Sequence, residues 1–251
     1  MDTATNVIKN MSDKQDLTCL YCGKPKKAEI ITVLGMEKTV YCVDCDCYQK
    51  EQERIKKEKF AEFLKGRFKQ ANIGKRYENI TLEKLIELNT EHASEVIKYI
   101  KDFKPESGNG LHFVGTVGNG KTSLGHAILK KLLPEWNCLY ITWSEFVNRC
   151  QMSKSFTSDE NLEQILIWIA QFDFVMLDEF VINIKSEFEI NLACELLDRW
   201  YRNNKCYLLI NNPCDIQDML TIKKLEKMFD RISEQTEKLI FEHKSYRREN
   251  K

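Results

Sequence analysis

This 251-residue chain has no net charge, no long apolar run and no signal-peptide core. Its 38 basic side chains are balanced by 38 acidic ones, which removes any overall electrostatic pull toward nucleic acid or membrane. A nucleic-acid contact therefore has to be local. No apolar stretch reaches the roughly 18 residues that span a bilayer, and the opening MDTATNVIKNMSDKQDL lacks the apolar segment of a secretory signal. A cytoplasmic protein with no membrane partner is expected. No internal repeat is apparent.

Ten cysteines stand against this background. Five of them (Cys138, Cys150, Cys194, Cys206 and Cys214) are spread through a large globular stretch and read, in a reducing compartment, as small apolar residues. The other five are concentrated in CLYCG at 19–23 and YCVDCDC at 41–47. C-x-x-C, 19 intervening residues and a second C-x-x-C make Cys19, Cys22, Cys42 and Cys45 a four-thiolate zinc set. Cys47 offers an alternative second pair, Cys45-x-Cys47. The intervening AEIITVLGMEKTVY reads as two β-branched runs about a Gly-Met turn, a hairpin that brings the pairs together. A closed thiolate site keeps no position for water, so its role is folding rather than catalysis.

Four stretches follow from this reading: a polar, disordered N-terminus over 1–18, a zinc-binding module over 19–48, a linking helix with a lead-in segment over 49–76, and a large α/β region over 77–251. The linking helix is dense in Lys, Glu and Arg, with Ile55, Phe60, Phe63, Leu64 and Phe68 at mostly helical spacing. It reads either as a solvated spacer or as a face for a partner. Beyond it, amphipathic helices alternate with the apolar strands GLHFVG, CLYITW, DFVMLDEF and KCYLLINN, which implies a parallel sheet covered on both faces.

GTVGNGKT at 115–122 fits G-x-x-x-x-G-K-[ST] between a strand and a helix. In that setting the backbone of Gly115, Thr116, Val117, Gly118, Asn119 and Gly120 curls around phosphates while the helix N-terminus at Ser123 adds positive potential. Lys121 reaches the outer phosphates, and Thr122 is a ligand for Mg²⁺. Asp178-Glu179, at the end of FVMLDEF, lies where ligands of parallel sheets bind. Asp178 would hold Mg²⁺ through water, and Glu179 would polarise the attacking water. CYLLINN ends in Asn211-Asn212. Asn212 is the candidate γ-phosphate sensor, although the pair could simply begin a turn before Pro213.

These landmarks, in this order, resemble the AAA+ ATPases and, more narrowly, bacterial and phage helicase loaders of the DnaC type, relatives of the replication initiator and of transposon helper ATPases. ANIGKRYENITLE at 71–83 is similar to the segment that in this family lies near the adenine, with Arg76 and Tyr77 carrying the match and Gly74 standing where proline is frequent. MFDRISEQTEKLIFEHKSYRREN resembles the family's C-terminal end, which makes Arg231 the finger aimed at a neighbouring subunit's ATP and Arg247 a nucleotide sensor. The resemblance further implies a DNA-binding insertion between the second and third strands, with Lys154 and Phe156 as phosphate and base partners. Related phage loaders carry a C-x-C before the linking helix, which favours Cys47 over Cys42 where plain spacing favours the reverse. The function implied is an ATP-, Mg²⁺- and Zn²⁺-dependent loader that self-associates, holds a hexameric replicative helicase through its N-terminal region and delivers it to single-stranded DNA. A transposition helper of the same fold, or an adaptor that binds ATP without hydrolysing it, are the alternatives.

Overall fold

A computed structural model describes residues 18–42, 45–87, 92–154 and 160–242, excepting the side chain of Cys42. The chain divides into two compact units, 1–63 and 64–251.

In the first unit, β1 (Lys27–Val33) and β2 (Met36–Cys42) form an antiparallel hairpin in which Val33 faces Met36. The turn is centred on Leu34-Gly35 rather than on Gly-Met, because both residues adopt positive φ, 52° and 78°. Consecutive left-handed residues match the right-handed twist of the flanking strands. Every residue of β1 is exposed, and Cys19 is the only buried hydrophobic residue among the described residues of the unit. Helix α1 (Cys47–Gln70) begins here. It buries no residue along its length, and Arg54 lies between Glu51 and Glu58 on its surface.

The second unit is built on a five-stranded parallel sheet of β3 (Gly110–Gly115), β4 (Cys138–Thr142), β5 (Phe174–Asp178), β6 (Cys206–Asn211) and β7 (Thr236–Phe241), in the spatial order β4-β5-β6-β3-β7. β3, β5 and β6 are buried throughout, which is why they read as unbroken apolar runs. The two-residue period of a strand divides their side chains between two cores. Val175, Leu177, Tyr207 and Leu209 join α5 (Trp143–Met152), α6 (Leu162–Ala170), α7 (Glu187–Arg202) and α9 (Lys223–Gln235) on one face. Phe174, Met176, Leu208 and Ile210 join α2 (Leu82–Glu87), α3 (Ala93–Asp102) and α4 (Lys121–Leu132) on the other. α8 (Pro213–Leu220) follows β6, with Pro213 at its first turn, where a missing N–H costs no helical bond.

The predicted strand CLYITW stops one residue early because Thr142 begins a helix. Its hydroxyl accepts from the Glu145 backbone N–H, and the Glu145 carboxylate accepts from the Thr142 backbone N–H. This reciprocal capping box overrides the β-propensity of Trp143. β7 lies outside the strands read from the sequence. Its alternating exposure makes TEKLIF look like surface until pairing with β3 is known.

Candidate functional site

Four segments, three of them at the carboxyl ends of β3, β5 and β6, surround one cavity of about 510 Å³. The first is the loop between β3 and α4. Gly118 and Gly120 have φ of 89° and 93°, a region that side chains with a Cβ occupy at a cost. Gly115 is required for a different reason. A Cβ there would lie 2.5 Å from the Phe241 carbonyl and 2.6 Å from Asn119 Nδ2. Lys121 is buried and folded over its own loop, donating to the carbonyls of Gly115 and Thr116 at 2.6 Å each and to Asn119 Oδ1 at 2.9 Å. Burial, partly offset by the Asp178 charge, lowers its pKa to about 8. Asn119 in turn donates to the Phe241 carbonyl at 3.0 Å and ties the loop to the end of β7.

The second segment is the end of β5. Asp178 is buried, and burial raises its pKa against the opposing pull of the Glu179 N–H, the Thr122 hydroxyl and Lys121. Its Oδ1 accepts from the Glu179 backbone N–H at 2.8 Å. Glu179 is exposed and has a φ of 51°, an uncommon conformation for a residue with a side chain. It turns the chain out of the strand beside the cavity. Asp178 with Thr122 forms an oxygen donor pair of the kind Mg²⁺ takes alongside substrate phosphates.

At the end of β6 both asparagines line the cavity, in different settings. Asn211 is buried, donates Nδ2 to the Phe180 carbonyl, and its Oδ1 lies 2.9 Å from His112 Nε2. Because the amide oxygen only accepts, His112 must donate there. Burial holds His112 near pKa 4, so the ring is neutral. Asn212 is partly exposed and donates to Asp215 Oδ2 at 2.9 Å. Sequence reasoning passed over Asn211 and His112, since nothing local says that two buried residues 99 positions apart will meet.

The last wall is the segment around a short 3₁₀ turn at Lys75–Tyr77, which contributes Arg76, Tyr77, Asn79 and Ile80. The Tyr77 ring stacks on His126 of α4 at 3.8 Å between centroids.

Arg231 does not line this cavity. It lies on α9, where it pairs with Asp198 of α7 and faces the Tyr201 ring, in a groove of about 500 Å³ between those helices. Lys154 sits 3.5 Å from the centroid of the Phe188 ring. Phe156 and Arg247 lie outside the described residues.

In the first unit the Sγ atoms of Cys19, Cys22, Cys45 and Cys47 lie within 4.8 Å of one another, with Cys19 and Cys45 at 3.5 Å. A tetrahedron of thiolates about 2.3 Å from zinc places sulfurs about 3.8 Å apart, so the cluster has the dimensions of a zinc site. The thiols already perturb each other. Backbone N–H groups of Tyr21 and Cys22 bring the Cys19 pKa down to about 6, while hydrogen bonding with Cys22 pushes that of Cys47 up to about 12. A dication would let all four be thiolates. The side chain of Cys42 lies outside the described residues.

No protein-family model and no curated protein matches the chain. Solved structures do. The DnaC helicase loader is 23% identical with a TM-score of 0.58, over 67% of this chain and all of that one. DnaI is 18% identical with a TM-score of 0.56, over 69% of this chain and 93% of that one. The replication initiator DnaA bound to AMPPCP and single-stranded DNA is 16% identical with a TM-score of 0.52, over 68% of this chain and about half (51%) of that one. At these identities the likeness is one of fold: a five-stranded parallel sheet flanked by helices, with the Gly115–Thr122 loop following β3 next to the sheet's central strand β6, matches the AAA+ P-loop fold of DnaC, DnaI and DnaA.

Proposed function

We propose that the chain is an ATP-controlled loader of a replicative DNA helicase. The observation that carries this reading is the convergence of Lys121, Thr122, Asp178, Glu179 and the Asn211-Asn212 pair on one cavity, in a fold shared with the DnaC loader and DnaI, downstream of a four-cysteine module. The P-loop backbone and Lys121 would hold the triphosphate. Lys121 must leave its loop carbonyls to do so, exchanging neutral acceptors for charged ones. Thr122 and Asp178 would place Mg²⁺, which when bound neutralises charge on the outer phosphates.

Glu179 is the candidate for orienting and deprotonating the attacking water, being the exposed carboxylate at the cavity. Asn211 and Asn212 are both candidates for reading the γ-phosphate. Asn212 has the more accessible amide, whereas Asn211 is committed to His112 and Phe180. Arg231, which stands outside its own protomer's cavity, is the candidate for an arginine supplied to a neighbour's nucleotide. Hydrolysis would then depend on assembly.

Cys19, Cys22, Cys45 and Cys47 are the proposed zinc ligands, and the module with its following helix is the proposed helicase-binding region. Lys154, with Phe156, is the proposed contact to single-stranded DNA. The deciding experiment mixes the full chain with a hexameric replicative helicase, ATP and single-stranded DNA circles. A complex and faster loading of the ring are expected. No complex and no stimulation would refute a loader, and recovery of a transposase as the bound partner would transfer the same ATPase to transposition. ATP binding without turnover, even with helicase and DNA present, would make it an adaptor.

A further inference from the structure

The wall formed by residues 77–80 has little regular structure of its own, yet its four consecutive carbonyls are all held by lysines. Lys130 Nζ donates to the carbonyls of Tyr77 at 3.4 Å and Ile80 at 2.6 Å, and also to that of Glu78. Lys84 Nζ donates to the fourth, that of Asn79, at 3.1 Å. The same segment is pressed onto α4 by the Tyr77 ring, which lies nearly parallel to His126, at 15°. His126 is fully buried, donates Nδ1–H to the Thr122 carbonyl at 2.9 Å, and leaves Nε2 without a hydrogen-bond partner. One ring nitrogen anchors His126 to its own helix, and the ring's face is the platform on which Tyr77 lies.

Thr122, His126 and Lys130 are spaced four apart and share one face of α4. At 1.5 Å per residue, Lys130 lies about 12 Å along the axis from Thr122. One helix face thus carries, in order, a hydroxyl at the phosphate end of the cavity, a ring platform, and an ammonium that fixes the wall furthest from the phosphates.

We infer that Lys130 is a positioning residue that sets the base-recognising wall of the nucleotide cavity, so that affinity for the base and affinity for the phosphates are controlled from two ends of α4. The inference rests on the nucleotide-binding reading above. Without Lys130 the four-residue wall samples other conformations, and affinity falls by the fraction of time it is correctly formed. Only a ligand that touches this wall experiences that loss.

The test compares binding of ATP and of inorganic tripolyphosphate, both with Mg²⁺, to the full chain. Wild type should bind ATP more tightly than tripolyphosphate. Lys130→Met should weaken ATP binding about tenfold or more and leave tripolyphosphate within about twofold, and Lys130→Arg, whose guanidinium can donate to the same carbonyls, should restore most of the difference. Should the methionine variant not fold, Lys130→Gln, which retains one donor group, carries the same comparison, and Tyr77→Leu should change the ratio in the same direction. Unchanged ATP affinity, or an equal loss for both ligands, overturns the role of Lys130. Failure of wild type to bind either ligand overturns the nucleotide reading itself, and this inference with it.

Discussion

β1 and β5 are both rich in apolar residues, but β1 is exposed at all seven positions and β5 is buried at all five. In the unit from residue 64 onward, helices cover both faces of the sheet, and burial of apolar surface supplies the driving force. The unit before it has a two-stranded hairpin, which is marginal in water on its own, with Leu20, Ile30, Leu34 and Met36 each more than half exposed. Its compact feature besides the hairpin is the cluster of thiols of Cys19, Cys22, Cys45 and Cys47. One region is therefore held by buried area and the other, on the proposed zinc site, by metal ligation, and they should respond to different perturbations.

Metal removal should separate them most sharply. Structural zinc in small peptides is worth about 10–16 kcal/mol, so a chelator should abolish hydrogen-exchange protection of the β1–β2 hairpin while the melting of the second unit and its ATP binding stay unchanged. Loss of both together would break the comparison. Arg231→Ala comes next, with assembly-dependent ATP turnover expected to fall about 10³-fold or more and ATP binding by the isolated protomer retained; full turnover would exclude the finger. Glu179→Gln should slow turnover by about 10²–10⁴ with binding intact, and loss of binding would show that it holds nucleotide rather than water.

A smaller effect is expected at Gly115→Ala, where the added methyl meets the Phe241 backbone and Asn119. It should cost about 1–3 kcal/mol, read as a lower melting temperature of the second unit alone. The smallest concerns the ligand set. Cys42→Ser should keep one zinc per chain and Cys47→Ser should lose it, and the reverse result would reassign the fourth ligand to Cys42.

How much was legible beforehand follows from how local each feature is. The P-loop, the Asp178-Glu179 pair and the alternation of helix and strand depend on residues within a few positions of one another, and they were readable. Trp143 was misplaced by one residue because a capping box competes with strand propensity over the span of a single turn. β7 was overlooked because an edge strand with one exposed face carries little hydrophobic signal. Lys130 looked like any charged helix residue, since its three acceptors lie 50–53 positions away.

The sequence by itself determined a parallel α/β unit with a phosphate loop and an acidic strand end, preceded by a thiol-rich module, because periodicity and spacing encode those through nearest neighbours. Tertiary structure decided which strands adjoin β3, that Asn211 rather than Asn212 is locked to His112, that Cys47 lies beside Cys19, Cys22 and Cys45, and that Lys130 of α4 meets the carbonyls of the segment around Tyr77. These are pairings between distant positions, fixed only when the chain closes its loops and buried polar groups find their partners.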